Sequence, residues 1–197
     1  MANRPLNTDF FDRAAKFAID AHAGTERRGK ASPYIIHCME AASIVATITN
    51  DPELLAAAML HDTIEDTDVT YEDIKREFGE KVANLVLGES DPDVEGKHES
   101  ESWKDRKQFV IDRLAKEDIE GKIVALGDKL SNMRAIARDF DEQGDELWQI
   151  FHAPDPHLHE WHYRGLAESL KDLDGTVAYQ EFCELIDRTF SRAFKNL

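Results

Sequence analysis

The chain has 197 residues, 42% of them hydrophobic and 32% charged, with a formal net charge of −16 at pH 7. That length holds one domain with a sizeable core, and the composition is ordinary for a soluble protein. The acidic balance argues against a nucleic-acid coat or an anionic-membrane binder, either of which would present a broad basic face. It is compatible with a small anionic substrate held through a local basic patch and a metal.

Nearly everything reads as helix. "TDFFDRAAKFAIDAHAG" opens on Thr8 as a cap, repeats apolar residues at helical spacing (Phe10, Ala14, Phe17, Ala21) and stops at Gly24. A polar basic loop, "TERRGKASPY", leads to "IIHCMEAASIVATIT", which Asn50, Asp51 and Pro52 close. "LLAAAMLHDTIEDT", residues 54–67, begins as an apolar helix and runs on into one imidazole and three carboxylates within residues 61–66. Thr70 and Asp73 spell a capping box at the head of "DVTYEDIKREFGEKVANLVLGES", which Gly79 divides into two helices. "DPDVEGKHES", residues 91–100, is a polar loop. "SWKDRKQFVIDRLAKE" and "EGKIVALGDKLSNMRAIARDF" are amphipathic helices. A second irregular stretch, "DEQGDELWQIFHAPDPH", precedes the helices "LHEWHYRGLAESLKDL" and "TVAYQEFCELIDRTFSRAF".

No strand-like alternation persists, so the expected fold class is all-α, with a single domain over residues 1–197. The longest apolar run, "LLAAAML", is far short of a membrane span, and "MANRPLNTDFF" has no signal-peptide core. Cys38 and Cys183 fall in predicted helices and form no CxxC pair. They fit small buried roles in a reducing compartment, and a cytoplasmic location is expected.

Three acids as close as Asp62, Glu65 and Asp66 repel one another unless something positive sits among them. A bound cation is one answer, and a solvated helix end is the plainer one. On a continuous helix His61 and Asp62 are about 100° apart, so they reach one ion only beyond the helix surface. Further ligands would come from elsewhere. His37 stands early in its own helix, and Asp128 follows an apolar run that drives it inward. Two imidazoles and two carboxylates suit a first-row divalent ion with positions open to water. Taken singly, His37 also reads as a hydrogen-bonded buried histidine, and Asp128 as an ion-pair partner of Lys129 or Arg134. On the same continuous helix, Glu65 stands one turn beyond His61 and Asp66 one turn beyond Asp62, where both can face the ion's water.

The set His37, His61-Asp62 and Asp128 resembles the four-ligand signature of the HD phosphohydrolase superfamily. The words "RRGKASPYIIH", "MLHDTIEDT", "FGEKVANLVLGES", "SWKDRKQ" and "GDKLSNMRAI" resemble, more narrowly, the hydrolase domain of the RelA/SpoT alarmone family over residues 8–170. The resemblance implies an HD-domain helical bundle, in the form of a small alarmone hydrolase without synthetase or regulatory domains. It implies that His37, His61, Asp62 and Asp128 hold one manganese ion, and that Glu65 and Asp66 position and activate the attacking water. Asn132 would contact the nucleotide. Arg27, Arg28 and Lys30 fall where the family places a basic residue beside the base and phosphates. The interval before Pro33-Tyr34 is one residue longer than the family's usual spelling, so Arg27 and Arg28 both stand for that role. Tyr163 matches a late tyrosine that touches the far phosphate, a role Arg164 could also take.

The implied reaction removes the 3′-pyrophosphate of (p)ppGpp, leaving GDP or GTP. The alternatives are another HD nucleotide phosphohydrolase, such as a 5′-nucleotidase or a (p)ppApp hydrolase, and a catalytically silent alarmone sensor. The expected partner is a small nucleotide, with no nucleic acid and no membrane; a homo-oligomer is compatible. His152, His157, His159 and His162 read as a surface cluster, or His159 as a phosphate contact, rather than as a second metal site. Lys104, Arg106 and Lys107 read equally as steering charges and as a solvated helix face.

Overall fold

The computed structural model describes residues 8–27, 30–90 and 103–193. These form the helices α1 (Asp9–Ala21), α2 (Ile35–Val45), α3 (Pro52–Leu60), α4 (Thr63–Asp66), α5 (Tyr71–Phe78), α6 (Glu80–Glu89), α7 (Trp103–Leu114), α8 (Ile119–Gln143), α9 (Pro156–Ser169) and α10 (Val177–Ala193). Two 3₁₀ segments, Gly144–Ile150 and Lys171–Leu173, complete the regular structure. No strand occurs among the described residues, only an isolated antiparallel bridge between Glu26 and Pro33. The fold is all-α, as the sequence leads one to expect. No described helix is long and apolar enough to cross a membrane. The polar loop expected at 91–100 and the residue Arg28 lie outside the described residues.

Helix α8 is the axis of the fold. It begins where the Asp118 carboxylate accepts the Gly121 amide at 2.9 Å and ends at Gly144, whose φ is 61°. Its middle is buried on most sides, and the polar residues Asp128 and Ser131 are buried with it. Val124 joins a core formed with Ala14, Leu54, Met59, Leu60, Ile74 and Val82 from α1, α3, α5 and α6. Leu126, Leu130 and Met133 enter a second core with Trp148, Leu166, Phe182 and Phe190.

Gly127 lets α2 lie directly against α8. A Cβ at that position would stand 2.8 Å from the Ala41 carbonyl oxygen and 2.8 Å from Val45 Cγ2. The approach brings His37 on α2 beside Asp128 on α8.

Local signals hold in several places. Thr70 and Asp73 form the full capping box, and Gly79, at φ 92°, separates α5 from α6. Asp51 caps α3 by accepting the Glu53 amide at 2.8 Å, with Pro52 at the first helical position. Others differ. Thr8 makes no side-chain cap; its hydroxyl bonds the Asp12 carboxylate at 2.8 Å. The stretch that reads as irregular after residue 140 is regular as far as Ile150, because Leu147 and Trp148 are buried and fold it onto the core.

The most consequential difference lies in "LLAAAMLHDTIEDT", which is two helices rather than one. α3 ends at Leu60, Asp62 adopts φ −95° and ψ 0°, and α4 starts afresh at Thr63. The Thr63 hydroxyl donates to the Leu60 carbonyl at 2.6 Å, satisfying a group that the helix end would otherwise orphan.

Candidate metal centre

Two adjacent side chains converge where α3 ends and α4 begins. His61 Nε2 lies 2.8 Å from Asp62 Oδ2. His37 Nε2 lies 3.3 Å from His61 Nε2 and 3.5 Å from Asp62 Oδ2. Asp128 Oδ1 lies 3.0 Å from His37 Nε2 and 3.6 Å from His61 Nε2. His37, His61 and Asp128 are buried, and one ligand atom from each falls within 4.8 Å of the others, the spread of a coordination sphere.

Both imidazoles are oriented from behind. His61 Nδ1 stands 2.9 Å from the Ala58 carbonyl, which can only accept, so Nδ1 carries the proton. His37 Nδ1 stands 2.8 Å from Ser131 Oγ, whose own proton goes to Glu40 Oε2 at 2.7 Å. In both rings Nε2 is therefore the free lone pair, and the two lone pairs face each other. Such a pair is repulsive unless a cation lies between, and this donor set suits a divalent ion.

The charges agree. Burial alone would push the His61 imidazole down, but the Asp62 and Asp128 carboxylates outweigh it and hold His61 well above the ordinary histidine range. Burial would raise Asp128, yet Lys129 and the hydrogen bonds from His37 and His61 hold it well below the usual carboxylate value. Asp62 is likewise lowered, with the His61 charge overcoming its burial. The Tyr34 hydroxyl donates to Asp62 Oδ2 at 2.7 Å, and burial together with that carboxylate pushes its own pKa up. Cys38 Sγ also comes within 4.8 Å of His61 and Asp62 ligand atoms. Burial pushes that thiol up to about 12, so it stands as a protonated neighbour rather than a thiolate ligand.

His37, Asp62 and Asp128 line a cavity of about 360 Å³ together with Glu65, Glu89, Lys107, Lys129, Trp103 and Tyr163. Glu65 shares this cavity with His37, Asp62 and Asp128. Asp66 does not line that cavity; its carboxylate lies near Tyr34, where it adds to the rise of the Tyr34 pKa. Asn132 Nδ2 donates to Asp128 Oδ1 at 2.5 Å, and Asn132 Oδ1 accepts from Arg27 Nη2 at 2.7 Å. Arg27 thus reaches the centre through Asn132. Arg27, Lys30, Asn132 and Tyr163 also line an adjoining cavity of about 270 Å³, where Lys30 is paired with Asp139.

Three features depart from the sequence reading. Arg164 faces away from the cavity and pairs with Glu160 at 2.8 Å and Asp187 at 2.9 Å. His159 and His162 are not a surface cluster; both are buried and line the cavity with His152. The Trp103 ring covers His159 at 5.2 Å and His162 at 5.9 Å. His159 Nε2 donates to the Ala153 carbonyl at 2.7 Å. Glu89 was not singled out by the sequence, where it is one acid at the end of an amphipathic helix. It is buried against Lys129, at 3.2 Å, and Lys129 also grips Asp128 Oδ2 at 2.6 Å.

Comparison with known proteins gives a consistent set of likenesses. Residues 14–153 match the HD domain family. A guanosine-3′,5′-bis(diphosphate) 3′-pyrophosphohydrolase of Aquifex aeolicus is 32% identical over 202 residues, covering 100% of this chain and 28% of the relative. The bifunctional (p)ppGpp synthase/hydrolase SpoT of Escherichia coli is 38% identical over 125 residues, covering 60% of this chain and 17% of the relative. The chain thus spans less than a third of the length of these curated relatives. Among solved structures, a metazoan ortholog of SpoT, described as hydrolysing ppGpp, superposes with a TM-score of 0.72 at 24% identity, covering 95% of this chain and 97% of that one. A protein of Listeria monocytogenes EGD-e gives a TM-score of 0.68 at 25% identity, covering 79% and 99%.

Proposed function

The chain belongs to the HD-domain family, and from that premise we propose that it is a metal-dependent hydrolase of alarmone nucleotides. It removes the 3′-pyrophosphate of (p)ppGpp-type substrates and releases GDP or GTP. The observation that carries this reading is the presence of Glu65 in the same cavity as His37, Asp62 and Asp128. The likeness to 3′-pyrophosphohydrolases extends it to substrate.

His37, His61, Asp62 and Asp128 hold the divalent ion, manganese in this proposal. When bound, it supplies a Lewis acid for phosphoryl oxygens and lowers the pKa of water. The residues of the chain do the rest. Glu65 accepts the proton of the attacking water, which needs only a carboxylate within reach. Asp66, held near Tyr34, orients that water. The P–O bond to the ribose 3′ oxygen breaks, the water oxygen joins the pyrophosphate, and the 3′ oxygen leaves with a proton. Asn132 and Arg27 form one hydrogen-bonded edge of the nucleotide site, with Lys30 and Tyr163 beyond them. Because the chain carries −16 overall, recognition of a polyanion depends on such local cations. The free cysteines fit a reducing compartment, and the cytoplasm is the proposed location.

The test is product analysis of the manganese-loaded protein with ppGpp, its adenine counterpart and nucleoside 5′-monophosphates. Pyrophosphate and GDP from ppGpp are expected. Orthophosphate, or turnover of 5′-monophosphates alone, would replace this reading with a general nucleotidase.

A further inference from the structure

Each helix that contributes to the metal centre from either side of Gly127 carries a second polar residue one turn past its ligand. On α2, Glu40 follows His37; on α8, Ser131 follows Asp128. These two residues meet. Ser131, fully buried, donates its hydroxyl to Glu40 Oε2 at 2.7 Å and lies 2.8 Å from His37 Nδ1. A serine has one proton, and here the carboxylate takes it. The serine oxygen can then meet the imidazole only as an acceptor, which fixes the His37 proton on Nδ1 and leaves the Nε2 lone pair toward His61 and Asp128.

Glu40 is held in turn. Arg134 Nη1 stands 3.3 Å from Glu40 Oε1, and the same guanidinium forms a two-pronged fork on Glu181 of α10, with both bonds at 2.7 Å. A bidentate fork fixes the guanidinium plane as well as its position. From the metal side outward the order is His37, Ser131, Glu40, Arg134, Glu181. The last of these lies on α10, outside the residues 14–153 that match the HD domain.

We infer that Glu40 is a positioning residue for the metal centre: acting through Ser131 it sets the His37 tautomer, and Arg134 with Glu181 keeps Glu40 in place. This rests on the metal reading of the site but not on the identity of the substrate. The plainer alternative is that Glu40, Arg134 and Glu181 form an ion-pair staple tying α2, α8 and α10 together, with no bearing on the metal.

The two are separated by titrating manganese into the chelator-stripped full chain by calorimetry, with circular dichroism to check folding. Ser131→Ala and Glu40→Ala should each weaken manganese binding by about 10–100-fold, the usual worth of a partner behind a ligating histidine. The double variant should be no weaker than the worse single one, because both act through one relay. Glu40→Gln should lose less than Glu40→Ala, since its amide oxygen still accepts from Ser131. Unchanged affinity in folded single variants, or losses that multiply in the double variant, would overturn the relay. If Ser131→Ala fails to fold, the partly exposed Glu40 pair of variants decides by itself. A wild-type chain that binds no divalent ion would overturn the metal reading and the relay together. A wrong substrate assignment would appear only in the product analysis and leave this titration intact.

Discussion

The Nε2 atoms of His37 and His61 face each other across 3.3 Å, and each ring has already committed its Nδ1 proton elsewhere. Two lone pairs in that position, with Asp62 and Asp128 beside them, form a site whose electrostatics ask for a cation.

Manganese should raise the melting temperature of the chelated protein. An ion that binds only the folded state adds about 2.7 kcal/mol at a hundredfold excess over its dissociation constant. His61→Ala and Asp62→Ala should abolish both the thermal response and metal retention, as read by metal analysis of the purified variants. A full response in either variant would remove that side chain from the ligand set.

Glu65→Gln and Asp66→Asn should retain the metal and still bind nucleotide. Their turnover should fall by about 10²–10⁴, the range expected for a positioned general base. Loss of metal in either variant would make that carboxylate a ligand instead.

Arg27→Ala should raise KM more than it lowers kcat. The Arg27 guanidinium stands at the nucleotide edge on Asn132, at 2.7 Å, and not among the atoms proposed to react. Steady-state kinetics with ppGpp measures the split. A fall confined to kcat would place Arg27 in transition-state stabilisation.

His162 should make the protein acid-sensitive. Burial, followed by Lys107 and Lys129, lowers its pKa to about 2 in the folded state, while the unfolded chain takes up the proton near 6.5. The unfolded state therefore gains protons first, so stability is intact above 6.5 and falls as pH drops from there toward the folded value. The slope approaches about 1.4 kcal/mol per pH unit. Urea denaturation across this window should show a shallower acid limb in His162→Gln. An identical limb would mean that the ring is protonated inside the fold.

The helical periods, the capping box at Thr70 and the division at Gly79 were legible because each depends on neighbours in sequence. The grouping of His37, His61, Asp62 and Asp128 was legible because their residue types and order resemble a family signature. The helix break at Asp62 was not, because "LLAAAMLHDTIEDT" has no glycine or proline and the turn is held by the Thr63 hydroxyl on the Leu60 carbonyl. Glu89 and the buried His159 and His162 stayed hidden for a different reason. Their burial is decided by α6, α7 and α9 closing around one cavity, and nothing local to each residue encodes that.

Gly127 shows that protein engineers working on this fold will face two goals at odds. A glycine in the interior of a long helix is ordinarily the first position to replace, since alanine there is favoured by about 1 kcal/mol. Here the added methyl would be driven against the Ala41 carbonyl, a backbone atom that cannot swing aside. Relief would require α2 and α8 to separate, and His37 and Asp128 would separate with them. A library sorted for heat resistance and one sorted for turnover should therefore diverge at this position, the first tolerating alanine wherever repacking recovers the loss, the second returning to glycine.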